Sequence, residues 1–292
     1  MIPQTINKVP SAGSMLLKAA FVRKSESETP QLTPSVVKVP NVTAYPKQLE
    51  RFREVCGFAD SQYLPITYPQ IMSTALQIKL MLQPEFPFSP IGAVHLRNEI
   101  SQLKQIGANQ PLDFVVQTLP MRQTPNGYEI DFVSQALSEN ELLWQVVATV
   151  LVRRKLDVDA KPKKEHTAKA SLEHTLQWEL ADDLGRRYAR ASGDYNPIHL
   201  YPYTANFLGF KRQIAHGMWS KSRCLAHLNP GGIKESVVVK AGFKLPVYLP
   251  TTVTMMHESH GSETQFELRG PTGRRPHLVG SLKTGIAMPP VL

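Results

Sequence analysis

Between Tyr68 and Leu82 the chain is apolar on almost every side. Ile71, Met72, Ala75, Leu76, Ile78, Leu80 and Leu82 leave only a narrow polar stripe through Gln70, Thr74 and Gln77. A helix of that kind has no broad face for water and must be surrounded by other elements. Pro84 and Pro87 stop it. Strands later in the chain can surround it. Tyr128, Ile130 and Phe132 alternate with Glu129 and Asp131 after the turn Pro125-Asn126-Gly127, the two-residue period of a half-buried strand. From Leu142 to Leu151 the residues Leu142, Trp144, Val146, Ala148 and Val150 share one face, and the β-branched content favours a strand.

The order then repeats. A second helix is predicted from Ala215-His216-Gly217 to Leu228, ahead of Asn229-Pro230-Gly231-Gly232. Strands are predicted at Ser236 to Phe243, Thr251 to Glu258, Thr264 to Arg269 and Leu278 to Ile286, with Gly270-Pro271-Thr272-Gly273 as the turn before the last. A buried helix followed by antiparallel strands, twice over, is an α+β chain in which a sheet wraps a helix in each half. A length of 292 residues is comfortable for two such cores. The expected division is a Pro-rich N-terminal arm over 1–60, a first domain over 61–156, an exposed linker over 157–171 and a second domain over 172–292.

Composition narrows the partners. A net charge of +9 favours an anionic one: nucleic acid, a phosphate-bearing ligand or an acidic carrier protein. No recognition helix, zinc finger or aromatic-plus-basic pattern accompanies the charge, so nucleic acid is not expected. Cys56 and Cys224 form neither a disulfide framework nor a metal spacing, which points to a reducing, cytoplasmic setting. No run of 18 apolar residues is present, so no membrane span is expected. The apolar run Met15 to Val22 lacks a basic leader and reads as a short docking helix. His257-Glu258-Ser259-His260 fails the H-E-x-x-H spacing and falls on a predicted strand, so no metal is expected there.

Chemistry concentrates in Ala191-Ser192-Gly193-Asp194-Tyr195-Asn196-Pro197-Ile198-His199. Gly193 permits a turn, and Asn196-Pro197 forces an extended or turn conformation before a short helix. Asp194 and His199 can converge across that bend as an acid–base pair. Taken alone, the same residues serve equally as a helix cap and a packed histidine. Gly217, at the start of the second helix, adds an N–H that a ligand can approach closely, in the positive field of the helix dipole. His216 can support that glycine or line a pocket.

Tyr188 to His199, Ala205, Gly209-Phe210-Lys211-Arg212, Ile214-Ala215-His216-Gly217-Met218 and Phe243 to Pro250 together resemble the MaoC-like hydratase/dehydratase family, which includes R-specific enoyl-CoA hydratases. The resemblance implies a hotdog fold, here a double hotdog with one catalytic and one degenerate half. It implies that Asp194 and His199 hold a water and exchange protons with it and the substrate α-carbon. Asn196 would orient the water or the carboxylate, and the Gly217 N–H would stabilise the thioester oxygen. Lys211, Arg212 and Lys244 would meet the phosphates of CoA or of an acyl carrier protein. No cofactor and no metal is implied, and a homodimer is compatible with it. The first half has no G-D-x-N-x-x-H; Gly92 to Arg97 resembles the family's first-half strand. One active site per chain is therefore expected. The competing readings are a hotdog acyl-thioesterase and a non-catalytic acyl-thioester-binding subunit.

Overall fold

The structure is a computed structural model that describes residues 4–22, 24, 29–90, 92–158, 172, 174–229 and 236–285. In chain order the elements are β1 (Gln4–Thr5), α1 (Ala12–Phe21), β2 (Val36–Val42), α2 (Pro46–Cys56), α3 (Tyr68–Met81), β3 (Val94–Gln102), β4 (Leu112–Thr118), β5 (Arg122–Thr124), β6 (Gly127–Ser138), β7 (Glu141–Arg153), β8 (His174–Leu180), α4 (Leu184–Ser192), α5 (Pro202–Phe207), α6 (Gly217–Leu228), β9 (Val237–Phe243), β10 (Thr251–His260), β11 (Glu263–Arg269) and β12 (Pro276–Thr284). A 3-10 turn, Pro197–His199, lies between α4 and α5.

One continuous sheet joins the halves in the order β1-β2-β4-β6-β7-β3-β9-β12-β11-β10-β8, with β5 paired to β6. The first-half strands run β2-β4-β6-β7-β3 and the second-half strands β8-β10-β11-β12-β9. Leaving aside β1, α1, β5, α5 and the 3-10 turn, each half repeats one arrangement: strand, helix, central helix, then four strands. The halves meet where the strand after each central helix pairs antiparallel with its counterpart, from Arg97↔Gly242 to Gln102↔Val237. No interior strand edge is left exposed at the seam.

The predicted central helices are α3 and α6, and the strands predicted after each fall within β6, β7, β9, β10, β11 and β12. The predicted strand end at Ile286 lies outside the described residues. So does the linker expected over 157–171, apart from residues 157 and 158. The segment expected as an arm, 1–60, contains β1, α1, β2 and α2. Residues 36–56 supply β2 and α2, the counterparts of β8 and α4. Pro40 is one of the prolines of that Pro-rich segment. It sits, exposed, where the register of β2 on β4 shifts between Val39 and Val42, a position at which a strand tolerates proline. Val37 and Val39 on the same strand are fully buried.

Phe52 on α2 lies against Tyr68 of α3 and Tyr188 of α4, with ring centroids 5.2 and 6.1 Å away. This aromatic contact ties both short helices to the first central helix. Both short helices end in a left-handed glycine, Gly57 and Gly193, each at φ 77°. The segment after each glycine separates the halves. The first has only residues 57–67 before α3, and Asp60 there is turned to solvent against Arg53. The second has residues 193–216, which build the site.

Candidate active site

Asp194 follows the left-handed Gly193, and two short turns set its carboxylate. Its N–H donates to Ser192 Oγ (3.2 Å), and the Asn196 N–H donates to Asp194 Oδ1 (3.1 Å). Asn196 Oδ1 in turn accepts from the Ile198 N–H (3.4 Å), capping the 3-10 turn that carries His199. Asn196 thus orients the carboxylate through its backbone, while its side chain shapes the turn.

His199 is held from several directions. Its Nδ1 lies 2.8 Å from the Ile214 carbonyl, which can only accept, so Nδ1 carries the proton and Nε2 is the bare nitrogen. The Ile214 N–H donates back to Ile198 O (3.1 Å). Residues 213–215 are pinned by the Phe243 to Pro250 segment through Leu249 N–H to Gln213 O (3.0 Å) and Ala215 N–H to Val247 O (2.8 Å). Gly185 on α4 makes room for the turn: a Cβ there would fall 1.9 Å from His199 O. Burial pushes the His199 pKa down, opposed by the Asp194 carboxylate and the Ile214 carbonyl.

His216 is the residue whose place the sequence did not reveal. Its ring stacks on His199 with centroids 3.6 Å apart at 27°. Its Nε2 donates to Asp194 O (3.0 Å) and lies 3.9 Å from Asp194 Oδ2. Nδ1 is buried without a partner, so the ring is neutral; burial, with the neighbouring His199, takes its pKa down to about 3. Its only sequence signal is adjacency to Gly217. Gly217 opens α6, and as the first helical residue it has no intrahelical acceptor for its N–H. The Phe243 ring lies 3.0 Å from where a Cβ on Gly217 would be, so a side chain there has to push that ring aside.

The nitrogen and oxygen ligand atoms of Asp194, His199 and His216 lie within 4.8 Å of one another. The two imidazoles stack nearly face to face, so their in-plane lone pairs do not converge on one tetrahedral ion. His257, Glu258 and His260 lie on β10 and form no such trio among the described residues. The site is graded in exposure: His199 and His216 are buried, while the Asp194 side chain is 37% exposed. The other predicted residues are not drawn into this cluster. Lys211, Arg212 and Lys244 are exposed, and Arg212 donates to the Pro250 carbonyl (3.2 Å).

Among known proteins, the family described as MaoC like domain matches residues 158–278. The protein named 3-hydroxyacyl-thioester dehydratase X of Mycobacterium tuberculosis is 28% identical over 274 residues, covering 92% of this chain and 96% of that one. A crystal structure of HtdX from Mycobacterium tuberculosis superposes with a TM-score of 0.74 at 26% identity, over 85% of this chain and 99% of that chain. A MaoC-like dehydratase from Phytophthora capsici shares the fold, with a TM-score of 0.66 at 15% identity over 87% of this chain and 95% of its own. Residues 158–278 match the MaoC like domain, and the chain shares the double hotdog of its MaoC-like relatives.

Proposed function

We propose that this chain interconverts a trans-2-enoyl thioester and water with the (R)-3-hydroxyacyl thioester. The observation that carries the reading is the convergence of the Asp194 carboxylate and the His199 imidazole beside the N-terminus of α6. In hydration the bare Nε2 of His199 takes a proton from a water that the Asp194 carboxylate also holds. The water oxygen bonds to C3, and the C2–C3 π electrons move toward the thioester. The Gly217 N–H and the α6 dipole stabilise the oxygen on which charge gathers. His199 then returns the proton to C2 on the face from which water came, giving syn addition. Dehydration is the reverse. The thioester acidifies its own α-position, so the scheme needs no cofactor.

Asn196 supports the carboxylate through its N–H. Lys211, Arg212 and Lys244 offer exposed positive charge to the phosphates of CoA or a carrier protein. Asp194, His199 and Gly217 all come from one chain, so a homodimer is an addition to the site rather than a requirement. Cys56 and Cys224 are buried free thiols, in keeping with a cytoplasmic setting. No described helix is long and apolar enough to cross a membrane.

The test is loss of enoyl absorbance from crotonyl-CoA, with free thiol followed in parallel. Enoyl loss without thiol is the expected result; thiol release identifies a thioesterase, and binding without either identifies a non-catalytic subunit. Asp194→Asn and His199→Ala should each lower turnover at least about a hundredfold while the protein stays folded. Full activity in either variant overturns the assignment.

A further inference from the structure

A second histidine route reaches the site from the opposite half. On β3, His95 pairs with Val150 and Arg97 with Thr149, leaving Leu96 as an extra residue in a bulge. In a regular strand His95 and Asn98 would point to opposite faces. The bulge restores them to one face: His95 Nε2 lies 3.4 Å from Asn98 Nδ2. Bulges commonly re-aim a side chain beside a functional site. Here the re-aimed ring packs against Phe243, with centroids 4.8 Å apart, and Phe243 is the ring that lies on Gly217.

The orientation of His95 is set by a buried chain of polar groups. Lys221 of α6 is fully buried, and its Nζ donates to Asn98 Oδ1 (2.6 Å) and to the carbonyls of Asn98 and Val239 (both 3.3 Å). That fixes the Asn98 amide with Oδ1 toward the lysine. Asn98 Nδ2 then donates to Gln70 Oε1 (2.9 Å) and faces His95 Nε2 as a donor. His95 Nε2 is therefore the acceptor, and the ring stays neutral. Burial and the nearby Lys221 lower its pKa to about 4, although the Arg97 backbone and the Asp194 carboxylate pull the other way.

Resting on the hydration reading above, we infer that His95 is a positioning residue of the active site, contributed by the half that lacks the catalytic motif. Held by its hydrogen bond to Asn98, its neutral side chain packs on Phe243, keeps that ring against the first turn of α6 and so fixes where the thioester lies relative to Asp194 and His199. Misplacing reactants by small distances costs rate more than affinity, so the effect belongs in kcat.

The experiment is steady-state hydration of crotonyl-CoA by wild type, His95→Leu and His95→Gln, with melting temperatures. Crotonyl-CoA affinity is measured in the Asp194→Asn background with and without His95→Leu. Glutamine is the conservative variant because its Oε1 can accept from Asn98 and it stays neutral. His95→Leu should lose at least about tenfold in kcat with KM and affinity within about threefold, and His95→Gln should return kcat to within about threefold of wild type. Unchanged kcat in His95→Leu overturns the inference. So does a loss shared equally by both variants and tracking a fall in melting temperature. If wild type neither turns over nor binds crotonyl-CoA, the hydration reading itself fails and takes this one with it. Thiol release by wild type overturns the hydration reading and this inference together.

Discussion

His199 and His216 stack ring on ring, 3.6 Å between centroids, although 16 residues of turn and short helix separate the two along the chain. The consequence is mechanical. One hydrogen bond, Nδ1 to Ile214 O, leaves an imidazole free to swing about that axis; a second ring against its face removes the swing. His216 is itself fixed by its bond to the Asp194 carbonyl, so one residue sets the relative pose of both members of the pair. Such ring contacts are worth about 0.5–1.5 kcal/mol, which corresponds to roughly two- to tenfold in rate. His216→Ala is expected to lower kcat by about that factor, and His216→Phe, which keeps the plate, by less. Equal and undiminished kcat in both variants, measured on crotonyl-CoA, removes His216 from this role.

Gly185 is the least conspicuous residue the site depends on. Any side chain there must displace the His199 carbonyl, which lies 1.9 Å from the Cβ position. Since both are backbone features, neither can yield by a rotamer change. Gly185→Ala should therefore cut hydration at least about tenfold and lower the melting temperature, despite the better helix propensity of alanine. A variant with wild-type kcat and a raised melting temperature would show that α4 and the turn can move apart freely.

Lys221 gives a stability prediction. Lys221→Met keeps the apolar stem and removes the amine, leaving Asn98 Oδ1 buried without its donor. An orphaned buried acceptor costs about 1–3 kcal/mol. Chemical denaturation should place Lys221→Met below wild type by that amount, and a variant as stable as wild type contradicts the network.

The buried histidines also set an acid limit. An unfolded histidine binds a proton near pH 6.5, whereas His95 and His216 resist it down to about 4 and about 3, and His199 is lowered too. Between those values and 6.5 the unfolded chain holds more protons, so stability is full above pH 6.5 and declines as pH falls below it. His95 faces Lys221 and Asp194, and His216 faces His199 and Asp194, so the carboxylate moderates the loss at both. At pH 5 His95 and His216 would each contribute on the order of 2 kcal/mol of destabilisation. Thermal melts should be flat between pH 8 and 7 and drop by several degrees at pH 5. Melts unchanged at pH 5 would show that these rings protonate in the folded protein.

Several elements were legible because local pattern and tertiary demand agree in them. The stripe-poor helix at Tyr68 could only be central, and α3 is. The alternation at Tyr128–Phe132 and Leu142–Val150 could only face a core, and β6 and β7 do. β2 and α2 were hidden for opposite reasons. Pro40 disguises a strand whose bulge accommodates it, and α2 buries only Leu49, Phe52 and Cys56 among many charged residues. In the site, Asp194, Asn196, His199 and Gly217 were visible as a spaced motif. His216 was visible beside the glycine within the Ile214 to Met218 stretch and His95 only within the Gly92 to Arg97 stretch, neither with its role, and Gly185 carried no signal.

The sequence by itself determined two helix-centred halves, the lack of the acid–base motif in the first of them, and the turn that brings Asp194 toward His199. These rest on interactions a few residues long: periodicity, a left-handed glycine, an Asn-Pro step. Tertiary structure alone decided what stands opposite that turn. The stack of His216 on His199, the gap at Gly185 that admits the turn, and the bulge that swings His95 toward Phe243 all depend on segments distant in the chain coming into contact. A one-residue bulge reverses which face a side chain occupies, and no local pattern in Val94-His95-Leu96-Arg97-Asn98 announces it.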